Sequence, residues 1–486
     1  MKWWPKLRTK KYLEELETVN TAFAQFEKFG ETLTPNLRAL RLTMTVSDIL
    51  LSMGVSSNSV VSKALDITDS YCKKPVHIDV NSNLLMLSQL RGIEKEPLTL
   101  IRPVSPRNVN NMTIQSIQHM IYKIRTGVYD LERAEIELEK IINHPRTYPW
   151  WVVTIGNAGI AAGVTLMFTQ SWRVVLTTFV IGLMVDRILA SLAKHAVPSF
   201  FRQVIASAAV TLAAALIFLS ARLGVDFFVG MNPTLIVIGG IFMLLAGLVI
   251  VGAIQDAIEE YYLTATAQLL KVGMLTIGIV IGILIGLYTA RKLGIGIAVS
   301  PDPLTLNGLQ FQIIGAGIAA AAYALSTQTY VRAITLAALT GGGALFITFF
   351  ASEWGISVIP ASGVAAILVG LIASFFSRFW RTPSAGIIAA GIIPLVPGLA
   401  LYTGLMQLIN YPPGDLLFNR GIGTLFTALA TALAIAAGAS FGSLIGRPLH
   451  QKITHSRNFT PFVKFMRRQL KTGRRTKNHP TDYQVE

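Results

Sequence analysis

From Trp150 onward the chain is a succession of apolar runs of roughly 20 residues, separated by short clusters of Pro, Gly, Asn, Arg and Lys. A run of that length is what a helix needs to cross a hydrocarbon layer of about 30 Å. Inside such a layer every backbone polar group must be satisfied internally, so open sheets and exposed loops are excluded there. This stretch is therefore restricted to a helical membrane bundle. Of the 26 acidic residues, 16 precede Trp150, which sets the first part apart as a water-facing region.

The apolar runs are ten. The first five are 150 to 169, 173 to 192, 200 to 221, 233 to 254 and 264 to 290. The second five are 311 to 328, 331 to 350, 357 to 377, 384 to 408 and 421 to 445. An even count puts both termini on one side, and the basic residues after the last run make that side cytoplasmic.

Within residues 36 to 149 the periodicity predicts helices over 36–53, from "SSNS" to about Tyr71, over 111–126 and over 130–143. A hairpin turns around Asn81 and Ser82, and "PLTLIRPV" supplies a third strand. The expected layout is a variable helical leader (1–35), a cytoplasmic α+β domain (36–149), two membrane sets (150–290 and 311–446) and a basic tail (447–486).

The net charge of +16 does not point to nucleic acid. Much of it lies in the tail, at Arg467, Arg468, Lys471, Arg474, Arg475 and Lys477, where it fits the positive-inside bias and contact with anionic lipid. Cys72 is the only cysteine, which excludes an internal disulfide and a Cys-based zinc site. No motif asks for a cofactor or a metal.

The segment "GIIPLVPGLALYTGL" carries Pro394, Pro397 and Gly398 inside an apolar run. A helix-interior proline removes a backbone donor and costs about 3 kcal/mol. Two readings stand: a kink tolerated among neighbouring helices, or a break whose freed carbonyls and amides hold a zwitterion. "IGGIFMLLAGLVIVG" (238 to 252) aligns without gaps on residues 389 to 403, pairing Gly240 with Gly391 and Gly247 with Gly398, and it lacks both prolines. Each copy is the fourth run of its five. Since five is odd, the copies would enter the bilayer in opposite directions, the inverted repeat of secondary transporters. The expected fold class is thus a mainly α-helical polytopic membrane protein, ten transmembrane helices as two inverted five-helix repeats, with the prolines marking the broken, ligand-holding half.

Gln255 and Asp256 end the fourth run, either as the first polar residues past the membrane or as a proton- or amine-binding pair. Lys271, in the next run, is the candidate partner charge, because an unpaired lysine there is expensive. Asp186 and Arg187 are adjacent, project about 100° apart, and are expected to reach the interface separately rather than pair. Asn157, Gln203 and Thr264 read as packing glue between helices, with Asn157, Thr264 and Gln268 also carried as substrate-binding candidates. Gly278, Gly282 and Gly286 form a small-residue row for packing inside the bundle or between protomers, which leaves a homo-oligomer open. Gly341, Gly342 and Gly343 favour an unwound point or close packing. "GASFG" around Ser440 matches a serine-hydrolase pattern but lies in a long apolar run, without the strand-to-helix turn that pattern needs. His77 and Asp79 share one strand face and read as a structural, gating or hydrolytic pair.

The stretches "SDILLSMGVSSNS", "VHIDVNSN", "VGAIQDAIEEYYLTATAQ" and "GIIPLVPGLALYTGL", in that order and spacing, resemble the ThrE-type threonine/serine exporter family over roughly residues 40 to 447. The resemblance implies a bacterial cytoplasmic-membrane exporter of threonine, serine or a similarly small polar metabolite, driven by the proton motive force. Some relatives are associated with dicarboxylate export. Lys271, standing where the family pattern has an acidic residue, and the Glu259–Tyr262 loop depart from that pattern.

Overall fold

In the computed structural model, residues 34–91, 96–245, 247–296, 308–380 and 382–446 are described. The expected leader and basic tail lie outside the described residues, apart from Thr34 and Pro35, as does most of the connection between the two sets of five.

The N-terminal unit starts with helix α1 (Pro35–Ser52), whose cap Thr34 accepts from the Leu37 amide. Gly54 then takes φ +82°, and α2 runs Ser57–Tyr71. An antiparallel sheet follows in the order β1 (Val76–Asn81), β2 (Leu84–Gln89), β3 (Leu98–Pro103), its hairpin turned by Ser82 at φ +58°. Helices α3 (Asn111–Arg125) and α4 (Leu131–Asn143) complete the unit. Ile114, Ile117, Ile121 and Ile124 recur at helical spacing on α3 and bury against Val46, Leu50, Val60, Ile67 and Leu138. The sheet is covered on one side only: Val76, Val80, Leu85 and Leu87 pack on Leu40 and Met44, while His77 and Asp79 face outward.

The apolar part begins with α5 (Trp150–Phe168), α6 (Trp172–Lys194) and α7 (Ser199–Arg222). The fourth run is divided into α8 (Pro233–Phe242) and α9 (Gly247–Ile258), bent by 44°, and α10 spans Tyr262–Lys292. The second set has α11 (Leu309–Ser326), α12 (Val331–Glu353) and α13 (Val358–Trp380). Its fourth run is α14 (Ser384–Ile392), a 3-10 turn over Ile393–Leu395 and α15 (Gly398–Asn410), bent by 45°; α16 (Leu416–Gly446) closes the bundle. Among the described residues eight helices are long and apolar enough to cross a membrane, or ten if each bent pair is one span.

Small residues set the helix contacts, because in an apolar solvent close packing replaces the hydrophobic effect as the driving force. A Cβ on Gly163 of α5 would lie 2.6 Å from the Ala319 amide of α11. On α10, Gly278, Gly282 and Gly286 meet Phe200, Val204 and Ala208 of α7, so the row packs inside the bundle. On α16, Gly438 and Gly442 meet Gly363 and Ile367 of α13. Ser440 between them is an ordinary helical residue. The triple glycine is not unwound either. It continues α12, where Gly341 closes on Ala320 and Gly342 on the Ile313 carbonyl.

Candidate functional site

The two bent runs cross each other. A Cβ on Gly247 would lie 2.2 Å from Cγ1 of Val396, and one on Gly398 would lie 3.3 Å from Cβ of Leu245. Each break is thus seated on the other's first returning turn. In the second set the cause is covalent: Pro394 and Pro397 lack the amides that would continue α14, so Val396 goes extended and Pro397 becomes the cap of α15. Val396 N still donates to the Ile393 carbonyl at 3.3 Å and Gly398 N to the Val396 carbonyl at 2.8 Å.

The first set breaks without a proline, which corrects the expectation that the prolines single out one broken half. Its ladder ends in 3-10-type bonds, Leu244 N to the Ile241 carbonyl (2.8 Å) and Leu245 N to the Phe242 carbonyl (3.1 Å). Gln203 on α7 donates Nε2 to the Leu244 carbonyl at 3.1 Å. A tertiary hydrogen bond supplies there what proline chemistry supplies in the other half. Further along α15, the hydroxyl of the fully buried Tyr402 and Oε1 of Gln407 lack a hydrogen-bond partner among the described residues.

Asp256, at the end of α9, is 3% exposed. Its Oδ2 accepts from Gln268 Nε2 at 2.8 Å and its Oδ1 from the Ser57 amide at 3.4 Å. Ser57 is the first residue of α2, so the carboxylate sits at the positive end of a 15-residue helix of the N-terminal unit. Next to it the Ser82 amide at the hairpin tip donates to Thr264 Oγ1 at 2.9 Å. Tyr261, between α9 and α10, has its phenol raised by burial, with the charges of Asp79, Glu259 and Asp256 adding to it. Asp79 therefore belongs to this joint, while its own oxygens accept from the Val80 amide and Asn81 Nδ2. His77 is exposed on the same strand face and makes no bond to Asp79 among the hydrogen bonds of the described residues.

Other expected groupings do not form. Lys271 is exposed on α10 and is not the partner of Asp256, whose oxygens are taken by Ser57 and Gln268. Gln255 points away from Asp256 and donates to Glu259 Oε1 at 3.3 Å, since neighbours on a helix diverge by about 100°. Asp186 and Arg187 do pair, contrary to expectation, because the long guanidinium folds back over the helix. Arg187 Nε lies 3.2 Å from Asp186 Oδ2 and the group stacks 4.8 Å from the Trp150 ring centroid. Asn157 donates to Asp186 Oδ1 at 2.8 Å, so its amide is committed to the buried carboxylate of an ion pair whose guanidinium is exposed.

A second joint lies under the other set. The amides of Asn111 and Met112, the first two of α3, donate to the carbonyls of Thr327 (3.0 Å) and Gln328 (3.2 Å), in the turn between α11 and α12. Asn111 Nδ2 adds bonds to the hydroxyls of Thr327 and Thr329. Gly386 on α14 is needed beside it, since a Cβ there would lie 2.8 Å from the Asn111 amide group. Ser57, Ser82 and Asn111 were not foreseen: Ser57 and Ser82 act through their backbone amides, and Asn111 through its amide and its side chain, and residue type does not say what lies opposite them.

An α+β unit latched by hydrogen bonds to both halves of a bundle of long apolar helices, two of its runs broken and crossing, defines a multi-pass membrane protein. The family comparisons agree. Residues 41–290 match the family model described as "Putative threonine/serine exporter" and residues 312–445 the one described as "Threonine/Serine exporter, ThrE"; the chain belongs to this threonine/serine exporter family. It is 29% identical over 420 residues to a protein of Mycobacterium tuberculosis named "Probable threonine/serine exporter", covering 85% of this chain and 77% of that one. It is 28% identical over 416 residues to the "Threonine/serine exporter" of Corynebacterium glutamicum, covering 85% and 83%. No solved structure matches.

Proposed function

We propose that the chain exports threonine, serine or a similarly small polar metabolite, driven by the proton motive force, through two inverted five-helix repeats that rock about the crossed breaks. The observation that carries this reading is the reciprocal contact of Gly247 with Val396 and Gly398 with Leu245. In the register that pairs Gly247 with Gly398, Leu245 pairs with Val396, so the two contacts exchange with each other as a two-fold relation between the halves would require.

Further pairs support the same symmetry. Gly240 closes on Ile181 and Val210, and its counterpart Gly391 on Thr340 and Val369, in the second and third helices of their own sets. Gly156 meets Ala322 and Ser326, while Gly315 meets Gly163 and Met167. One constant shift in numbering relates all these residues of the first three helices. Discontinuous helices that cross at mid-depth give a bundle both the exposed backbone for a zwitterion and the hinge for alternating access. The peptide groups around Pro394, Pro397 and Gly398 and those near Gly240 and Gly247 would hold the ammonium and carboxylate. Asp256, held by the cytoplasmic N-terminal unit, is the group whose protonation would release that unit and open the inner side.

Labelled threonine, serine and succinate offered to inverted vesicles, with and without a proton gradient, test the reading. Gradient-dependent uptake of a hydroxy amino acid, lost or made pH-insensitive by Asp256→Asn, is expected. Flux that survives collapse of the gradient would mean a channel, and a variant with unaltered rate and pH profile would remove Asp256 from the coupling.

A further inference from the structure

A groove of about 710 Å³ opens where the N-terminal unit meets the second set, between α3, α4 and the start of α12. We infer that it binds the phosphoryl group of a small anion. The ionisable groups around it are mostly basic: His119 comes from α3, Lys140 from α4, and His144 and Arg146 from the connection that follows. Glu137 is the one carboxylate on its wall, 3.8 Å from Lys140 in an exposed pair that solvent screens.

A second, independent observation lies at the back of the groove. Thr113 lines it, is 5% exposed, and its Oγ1 has no hydrogen-bond partner among the described residues. A buried hydroxyl left unsatisfied destabilises the fold, and a ligand oxygen that reached it would relieve that cost. The site is not the amide end of α3, because the Asn111 and Met112 amides are spent on Thr327 and Gln328.

The arrangement of donors favours phosphoryl over carboxylate. A carboxylate offers two coplanar oxygens and is satisfied by a single guanidinium fork. Here N–H donors come from four side chains, His119 on α3 and Lys140, His144 and Arg146 along α4 and the connection that continues it, which suits the three divergent oxygens of a phosphoryl group. Arg146 already gives Nη1 to the Tyr330 hydroxyl at 2.9 Å, at the head of α12, so an anion held by Arg146 and Lys140 would tie α4 to the second set. Either a soluble phosphorylated metabolite or an anionic lipid headgroup supplies that chemistry.

The full chain in phosphatidylcholine nanodiscs, titrated calorimetrically with pyrophosphate and separately with succinate, separates the cases without any transport measurement. Saturable pyrophosphate binding is expected, at least about tenfold tighter than succinate. It should weaken about tenfold in the Lys140→Gln/Arg146→Gln double variant and several-fold in the near-isosteric Thr113→Val. If pyrophosphate fails but phosphatidic acid is retained on purification by the parent and lost from the double variant, the source is lipid and the site stands. Binding indifferent to these substitutions, equal binding of succinate, or failure of both phosphoryl probes overturns it.

Discussion

Lys63 stands on α2, the helix whose first amide meets Asp256, and burial lowers its ammonium to about 8 from 10.5, against a smaller upward pull from Asp66. The folded-state value is below the unfolded one, so between them the unfolded chain binds more protons. The stability of the N-terminal unit should therefore rise as pH climbs from about 8 toward 10.5, and Lys63→Met should flatten that rise. Cys72, just past the same helix, is a built-in reporter. Burial, with the Asp69 charge second, raises its thiol to about 11. Only the thiolate reacts, so at pH 8 alkylation in the folded protein should be about a hundredfold slower than in urea. Its rate against temperature reads the unfolding of this unit, and a melting profile that ignores pH in the parent would refute the role given to Lys63. The lysine is visible in the sequence as a charge among apolar neighbours. Its burial is not, because α2 also carries Asp66 and Asp69 and reads as a solvated face.

At the scale of elements, helix and strand limits were legible to within a few residues, since membrane length, periodicity and turn chemistry all act locally. The break in the second set was legible too, because Pro394 and Pro397 write it into the backbone. The break in the first set was not: "FMLL" is good helix sequence, and what opens the ladder there is Gln203 on another helix together with the clearance at Gly247. This difference predicts different responses to mutation. Pro397→Ala restores one amide but leaves the crossing intact, so export should fall with protein abundance near normal. Gly247→Val forces its new atoms into Val396 and should cost about 1–3 kcal/mol by overpacking, lowering abundance and export together. Western blots alongside vesicle uptake distinguish them, and a Gly247→Val protein with normal abundance and transport would contradict the crossing.

For the whole molecule the question is how one N-terminal unit can hold both halves of a bundle that rocks in the proposed cycle. Its two attachments are unlike. The second set is gripped at the Thr327–Thr329 turn through two backbone amides and the Asn111 side chain, with α14 pressed close at Gly386. The first set is held by the long Ser57 contact to Asp256 and one bond from Ser82 to Thr264. Backbone-to-backbone bonds between capped ends are hard to exchange, whereas a carboxylate at a helix end is loosened by a single proton. The unit should therefore travel with the second set and let go of the first. In a Cys72→Ser background, Ser82→Cys with Thr264→Cys puts thiols on the two residues that the Ser82 amide and the Thr264 hydroxyl now join at 2.9 Å. Oxidation should stop export, and dithiothreitol should restore it. Pairing Asn111→Cys with Thr329→Cys across the other joint, where the side chains now meet at 2.9 Å, should leave export running when oxidised, once its reduced form is found active. A fully oxidised Ser82/Thr264 pair that still exports would mean that the first joint never opens during transport.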